Sequence, residues 1–279
     1  MAANLPSALD TSKKENIISH QFSVSSKRNR QPMKIGILGA GAIGTTLART
    51  LAAAGHQVKI ANSRGPDTIS ASALENGAIA ATAADAVKKM DVVIMTMPQS
   101  AFEKVRPLVT ALPEHTVVID TSNYFPQRDG VNPAIEAGEV ESVWIQNFFG
   151  RPIVKAWNAI GTVPFSENAL PEGHPERIAI PVSGDRAHDR DVAIALISDT
   201  GFDGYDAGPL EDSWRQQPGA PVYCTNLRYC EIASALAAAE RERLPKRRDL
   251  SVAIFAERFG PGVNPDAATI VRICRALQM

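Results

Sequence analysis

The chain has 279 residues, 44% of them hydrophobic and 21% charged, with 29 basic against 30 acidic residues. That length suits one large domain, or one domain with an appendage, around a full core. A formal net charge of −1 excludes the electrostatic footprint of a nucleic-acid binder, and no apolar run reaches membrane-spanning length. The cysteines, Cys224, Cys230 and Cys274, are odd in number and lack CxxC spacing. They read as reduced, partly buried thiols of a cytoplasmic protein.

Residues 1–32 are polar, Ser-rich and mildly basic, without the apolar centre of a secretory signal. They read as a disordered or dispensable N-terminal extension. KIGILG (34–39) is a short apolar run ending in glycine, the pattern of a buried parallel strand. Ile43, Leu47 and Leu51 then repeat on one helical face, which Gly55 ends. QVKIA (57–61) is the second strand; a helix is expected over 67–76, a short strand over 78–82 and a helical turn or two over 83–89. DVVIMTM (91–97) is a strand stopped by Pro98, SAFEKVRPLVTAL (100–112) a helix with Pro107 as kink or break, and TVVID (116–120) a fifth strand. Residues 151–157 and 177–184 read as further strands, and 185–201 as a helix with Val192, Ile194 and Ile197 inward. Beyond about 210 the pattern is helical; the last helix is expected to start with Asn264 as N-cap and Pro265 in its first turn. Strands alternating with helices predict an α/β fold, a Rossmann-type doubly wound, mainly parallel sheet. The expected division is a dinucleotide-binding domain over 33–210 and a C-terminal helical appendage over 211–279, which would cover the site or build a homodimer.

The first strand runs into Gly39-Ala40-Gly41-Ala42-Ile43-Gly44 and opens a helix. In that setting Gly39 permits the tight turn, Gly41 lets backbone approach a pyrophosphate, and Gly44 lets helix and strand pack closely. The helix N-terminus would offer N–H groups and a positive dipole end to the phosphates. Where an acid would select NAD at the end of the second strand, the chain has Asn62, Ser63 and Arg64. A carboxylate repels a 2′-phosphate, whereas a hydroxyl and a guanidinium fork bind one, so the cofactor expected is NADP(H). The other reading makes Arg64 a surface residue of a Gly-Pro turn.

GAGAIG, ANSRGP, IMTMPQSA, DTSNY (120–124) and VKAWNAIGTVPF (154–165) occur in this order. Together they resemble the deazaflavin (coenzyme F-420)-dependent NADP reductases, and the cytosolic oxidoreductase domain of the membrane-anchored metalloreductases. The resemblance spans roughly residues 33 to 230. It implies NADPH along the carboxyl ends of the strands, with a second planar redox group against the nicotinamide. It also implies pyrophosphate contacts from the Ala42 and Ile43 backbone, a cofactor flanked by Thr96, Met97 and Pro98, and a nicotinamide end lined by Asn123 and Lys155 to Asn158. Val163 and Pro164 would lie near the acceptor. Trp157 stands where the family commonly has a smaller aromatic, and the helical tail goes beyond the compact reductase.

Lys155 and Asn158 are the polar candidates for catalysis, placed at a strand end where open α/β sheets bind ligands. Lys155 would anchor an anionic acceptor or donate a proton, with Asn158 hydrogen-bonding it; equally, Lys155 would pair with a carboxylate and Asn158 cap a turn. Asp120 and Asn123 serve a ligand or form a turn. Tyr124, Phe125, Phe148 and Phe149 wall an acceptor pocket or pack the core, the core being the simpler role for the last two. Trp214 and Arg215 of DSWRQQPG reach the pocket or a partner, and ERERLPKRR (240–248) reads as a solvated helix end and loop. No histidine has metal-ligand spacing, so no metal is expected. These residues fit an NADPH-dependent oxidoreductase acting on a deazaflavin, flavin or small organic acceptor, without nucleic-acid or membrane partners. The alternatives are a pyrroline-carboxylate or 3-hydroxyacid dehydrogenase-like reductase of an imine or keto substrate, and a non-catalytic NADP(H) sensor.

Overall fold

A Rossmann-type sheet organises the chain in the computed structural model, which describes residues 31–260 and 266–278. The extension expected over 1–32 lies almost wholly outside the described residues, as do Asn264 and Pro265. The strands are β1 (Lys34–Leu38), β2 (Gln57–Ala61), β3 (Ile79–Ala80), β4 (Val92–Met95), β5 (Val117–Asp120), β6 (Val154–Lys155), β7 (Ala179–Gly184) and β8 (Asp203–Asp206). The helices are α1 (Ala42–Ala53), α2 (Ala71–Leu74), α3 (Ala83–Val87), α4 (Phe102–Thr110), α5 (Pro126–Asp129), α6 (Pro133–Glu136), α7 (Glu141–Phe149), α8 (Thr162–Glu167), α9 (Ala187–Asp199), α10 (Tyr229–Ala237), α11 (Leu244–Phe259) and α12 (Ala267–Ala276).

Among the described residues the strands form one sheet in the order β3-β2-β1-β4-β5-β6-β7-β8. The first six run parallel; β7 is antiparallel to β6, and β8 parallel to β7. Side-chain alternation along each strand builds two cores. Ile35 and Ile37 of β1 join Leu47 and Leu51 of α1 and Leu196 and Ile197 of α9 on one face. Leu38 joins Phe102 and Val109 of α4 and Ile145 and Phe149 of α7 on the other. At Gly36 a Cβ would sit 2.0 Å from the Ala86 carbonyl oxygen, so α3 can lie against β1 only over glycine.

Several elements differ from expectation for identifiable reasons. The helix expected over 67–76 is a 3-10 turn at Pro66–Thr68 followed by the single turn α2. The helix α4 runs through Pro107 to Thr110; the proline removes one backbone donor without ending it. The strand expected over 151–157 shrinks to β6, and Trp157 just beyond it takes a left-handed φ of 56°. In α9 the inward residues are Ala193, Leu196 and Ile197, with Val192 and Ile194 only partly buried. The last helix is capped by Asp266, whose carboxylate accepts from the Thr269 N–H at 3.0 Å, rather than by Asn264. Arg247 and Arg248, expected in a solvated run, are buried in α11. Arg247 pairs with Glu240 at 2.6 Å and Arg248 with Glu136 at 3.3 Å, with its guanidinium 5.2 Å from the Tyr124 ring.

Candidate active site

The chain leaves β1 toward β2 and β3 on one side and returns through β4 toward β5 and β8 on the other. A reversal of strand order opens a crevice beyond the carboxyl ends of the strands. A cleft lies there in two halves that share Thr96, Met97 and Pro98. Their volumes, 670 and 480 Å³, fall in the range of about 300–1,000 Å³ common for small-molecule sites.

The first half is lined by Gly39 to Gly41, Asn62 to Arg64 and Lys104. Gly39 has φ +114°, and a Cβ there would meet Thr96 Oγ1 at 2.5 Å. At Gly44 a Cβ would fall 2.0 Å from the Gly39 carbonyl oxygen, whereas at Gly41 nothing lies within 4 Å. Gly41 therefore presents bare backbone to the cleft, and the other two glycines allow the loop to close on β4 and α1. Thr96 Oγ1 donates to the Gly39 carbonyl at 2.8 Å and fixes the loop to the end of β4. The helix α1 begins at Ala42 with no side-chain cap and no acid in its first turn. Its first-turn N–H groups, those of Ala42, Ile43 and Gly44, are the donors that such a terminus leaves for an anion. The fit to a dinucleotide pyrophosphate rests on that uncapped terminus beside a glycine whose Cβ would fill open space.

Asn62 lines the cleft, yet its side chain shapes the turn. Its Oδ1 accepts from the Arg64 N–H at 2.9 Å and its Nδ2 donates to Thr68 Oγ1 at 2.8 Å. The Ser63 hydroxyl and the Arg64 guanidinium also face this half, and neither has a side-chain partner among the described residues.

In the second half Asn123 and Asn158 brace each other. Asn123 Nδ2 donates to the Asn158 carbonyl at 2.9 Å, and Asn158 Nδ2 donates to Asn123 Oδ1 at 3.1 Å and to the Gln216 carbonyl at 2.8 Å. Gln216 Nε2 returns a bond to Asn158 Oδ1 at 3.0 Å, and Ser183 Oγ donates to Gln216 Oε1 at 3.2 Å. Gln216 ends a 3-10 turn, Leu210–Gln216, and ties this wall to β7. Sequence reasoning missed it; the only signal was a polar Gln-Gln pair between apolar stretches.

Lys155 needs a correction. It is fully buried and lines neither half of the cleft. Its Nζ donates to Asp120 Oδ2 at 2.6 Å and to the Ser122 carbonyl at 2.7 Å. Asp120 also accepts from the Ser122 N–H and Oγ, each at 3.1 Å. The expected anchor or proton donor is thus a buried ion pair that shapes the 120–123 turn. Tyr124 is buried behind the wall, its hydroxyl accepting from the Asn132 N–H at 2.9 Å, whereas Phe125 lines the cleft. Phe148 and Phe149 pack with Phe102 and Trp144 in the core. Val163 lines the cleft, but Pro164 is buried beneath Gly161. Trp214 and Arg215 stack on each other at 4.3 Å, outside both halves. Among the described residues no histidine lines the cleft and there is no metal-binding cluster.

Two of the four non-glycine residues with left-handed φ among the described residues, Trp157 and Cys224, line this second half. Strained backbone of this kind persists where surrounding structure holds it, often at ligand sites. The Cys224 N–H donates to the Ala159 carbonyl at 2.9 Å and ties the two strained segments together. Burial pushes the Cys224 thiol far above its ordinary range and the Cys274 thiol up to about 11, so both stay protonated and weakly nucleophilic. Cys230 is exposed.

Behind the site, burial raises the Glu141 carboxyl above the ordinary 4.5 although Lys155 opposes the shift. As pH rises past 4.5 the unfolded chain loses this proton first, so the folded state holds more protons and stability falls. Glu141→Gln is therefore expected to gain stability relative to the parent between pH 4.5 and the raised value, in urea titrations across pH. A constant difference over that window would count against it.

Residues 34–124 match the family model described as NADP oxidoreductase, coenzyme F420-dependent. Over 82 residues, 28% of this chain, the sequence is 40% identical to the protein YjhV of Escherichia coli (strain K12), and the match spans 60% of that relative's length. The solved structure of hypothetical protein SMa0349 from Sinorhizobium meliloti is 29% identical with a TM-score of 0.58, covering 70% of this chain and 95% of that one. A structure from Arthrobacter sp. FB24, provisionally described as an F420-dependent NADP-reductase, is 22% identical with a TM-score of 0.50 over 64% of this chain and 86% of its own. Glycerol-3-phosphate dehydrogenase from Coxiella burnetii is 16% identical with a TM-score of 0.53 over 88% and 75%. The last two share the fold alone. The stretch matched by the family model contains the glycine loop, the Asn62–Arg64 turn, Thr96 to Pro98 and Asn123, so the similarity to the coenzyme F420-dependent NADP oxidoreductases covers about a third of the chain and includes residues that line both halves of the cleft.

Proposed function

We propose that the chain is an NADPH-dependent oxidoreductase, passing a hydride between NADP(H) and a deazaflavin, flavin or small organic acceptor. One observation carries the reading. A single cleft joins a turn offering Ser63 and Arg64 to an aromatic-walled half with neither carboxylate nor histidine among the described residues, through the shared Thr96, Met97 and Pro98. NADPH, when bound, supplies the hydride. The chain's own groups bind and orient. The first-turn N–H groups of α1 take the pyrophosphate, and Ser63 and Arg64 the 2′-phosphate. Met97 and Pro98 wall the junction. Asn123, Asn158 and Gln216 hold the second half in shape, and the Asp120–Lys155 pair positions the turn that carries Asn123. Val252 and Phe255 of α11 and Ile270 of α12 line the same half, which supports residues 211–279 as a cover that excludes water.

Reducing an isolated carbonyl or imine calls for a general acid tuned near the working pH. This wall holds hydroxyls, a tyrosine that burial pushes well above its ordinary range, and two thiols that are also pushed up. A conjugated ring that spreads the incoming charge needs no such acid, which favours deazaflavin- or flavin-like acceptors over keto and imine substrates. The test is NADPH oxidation followed with a deazaflavin, FMN, a keto acid and a cyclic imine in parallel. Turnover of ring acceptors alone is expected. Turnover of the keto acid or imine alone would move the chain to the dehydrogenase reading, and binding of NADPH with no turnover to the sensor.

A further inference from the structure

Among the described residues Arg128 is the one charged residue lining the second half of the cleft, and no carboxylate lines it. Its guanidinium is held in a fixed orientation from behind. Nε donates to Asp129 Oδ1 at 3.0 Å and Nη2 to Asp129 Oδ2 at 2.8 Å, while Nη2 also donates to the Asn123 carbonyl. The guanidinium carbon lies 5.4 Å from the centre of the Phe125 ring, which lines the same half. Nη1 is left without a partner among the described residues, on a side chain that is 47% exposed. Asp129 is 2% exposed and is also fixed by the Phe125 N–H at 3.0 Å. An arginine held this way loses little freedom when its remaining edge meets an anion. Apart from neutral hydroxyls and the Asn123–Asn158 pair, the rest of the wall is largely apolar and aromatic, with Phe125, Trp157, Tyr223 and Phe255 around the space. Flat aromatic surfaces favour a flat conjugated ligand.

We infer that the acceptor is a planar organic anion, and that Arg128 selects it by binding its carboxylate, sulfonate or phosphate group while the aromatic residues take its ring. This rests on reading the second half of the cleft as the acceptor side. Two electrons and a proton leave the dihydronicotinamide as hydride, the acceptor ring gains them, and water supplies any further proton that the reduced ring takes up. Arg128 stays charged throughout, so it sets affinity and leaves the redox balance unchanged.

The experiment separates binding from turnover. Isothermal titration of the NADP-loaded full chain uses two probes of similar ring size, naphthalene-2-sulfonate and neutral 2-naphthol. The parent is expected to prefer the sulfonate. Arg128→Gln removes the charge and shortens the side chain; it should weaken the sulfonate by roughly tenfold, the worth of a charge-assisted hydrogen bond, and 2-naphthol by less than twofold. Arg128→Lys should recover part of the loss. Urea midpoints for both variants show whether the fold is intact, and the Lys variant carries the comparison if the Gln variant is unstable. No preference for the sulfonate in the parent overturns the inference, as does an equal loss for both probes. A matching loss of NADPH affinity in Arg128→Gln would assign the residue to the cofactor instead and also overturn it. Failure of every acceptor to oxidise NADPH would sink the proposed reaction, yet leaves this binding difference readable on its own.

Discussion

Replacing Lys155 by methionine is expected to destabilise the protein by about 3–5 kcal/mol, the usual cost of leaving a buried charge without its partner. Lys155 and Asp120 are both fully buried, and their 2.6 Å contact lies at the end of paired strands β5 and β6. Methionine fills much of the lysine volume, so the loss comes from the stranded Asp120 carboxylate rather than from a cavity. The double variant Lys155→Met with Asp120→Asn should recover roughly 1–3 kcal/mol of it, the coupling expected of contacting residues, because the amide oxygen still accepts from the Ser122 N–H and its NH2 can donate to Ser122 Oγ. Urea unfolding of the three variants measures both quantities. Were Lys155 instead a proton donor to substrate, the single variant would keep its unfolding midpoint and lose turnover, and the double variant would recover nothing.

This pair also shows where sequence stops speaking. The glycine loop and the turn after β2 were legible because their chemistry is local. Gly39, Gly41 and Gly44 answer to backbone geometry within a few residues, and Ser63 and Arg64 sit at a fixed distance along one strand–helix–strand unit. Strands β1, β4 and β5 were legible because each carries a near-continuous apolar run of the kind that a sheet covered on both faces accommodates, and β2 because Val58 and Ile60 alternate with polar residues. The second half of the cleft was legible only in part: Asn123, Asn158 and Val163 were expected there, but the contacts that shape it join residues distant in sequence. Asn158 meets Gln216 across 58 residues and Lys155 meets Asp120 across 35. No local pattern says whether a lysine at a strand end faces the cleft or turns inward. The edge strand β8, DGYD, was missed because an edge strand need not be apolar. Arg248 looked solvated because its run alternates sign, but α11 folds back so that the guanidinium lies over Tyr124. Charge pattern reports composition, and only tertiary contact decides burial.

Arg64→Ala is expected to weaken NADPH binding by roughly 10- to 100-fold, the worth of one charge-assisted phosphate contact, while NADH changes by less than twofold. The asymmetry follows from what the turn holds. Asn62 is committed to the Arg64 N–H and to Thr68, so the turn keeps its shape when the Arg64 side chain is cut back. The one side chain that this variant takes from a 2′-phosphate is then that of Arg64, and Ser63 stays in place. Ser63→Ala should cost less, because a neutral donor is worth less than a charged fork. The complementary change is Asn62→Asp in the Arg64→Ala background. Its Oδ1 still accepts from residue 64, and its added charge repels a 2′-phosphate while accepting from ribose hydroxyls. That double variant should prefer NADH. Fluorescence titrations with both cofactors, at low and high salt, measure the set, and the Arg64 contribution should shrink as salt screens it. If Arg64→Ala weakens NADPH and NADH alike, the guanidinium is not the 2′-phosphate ligand. Lys104, the other cation lining that half, would then be the next residue to replace.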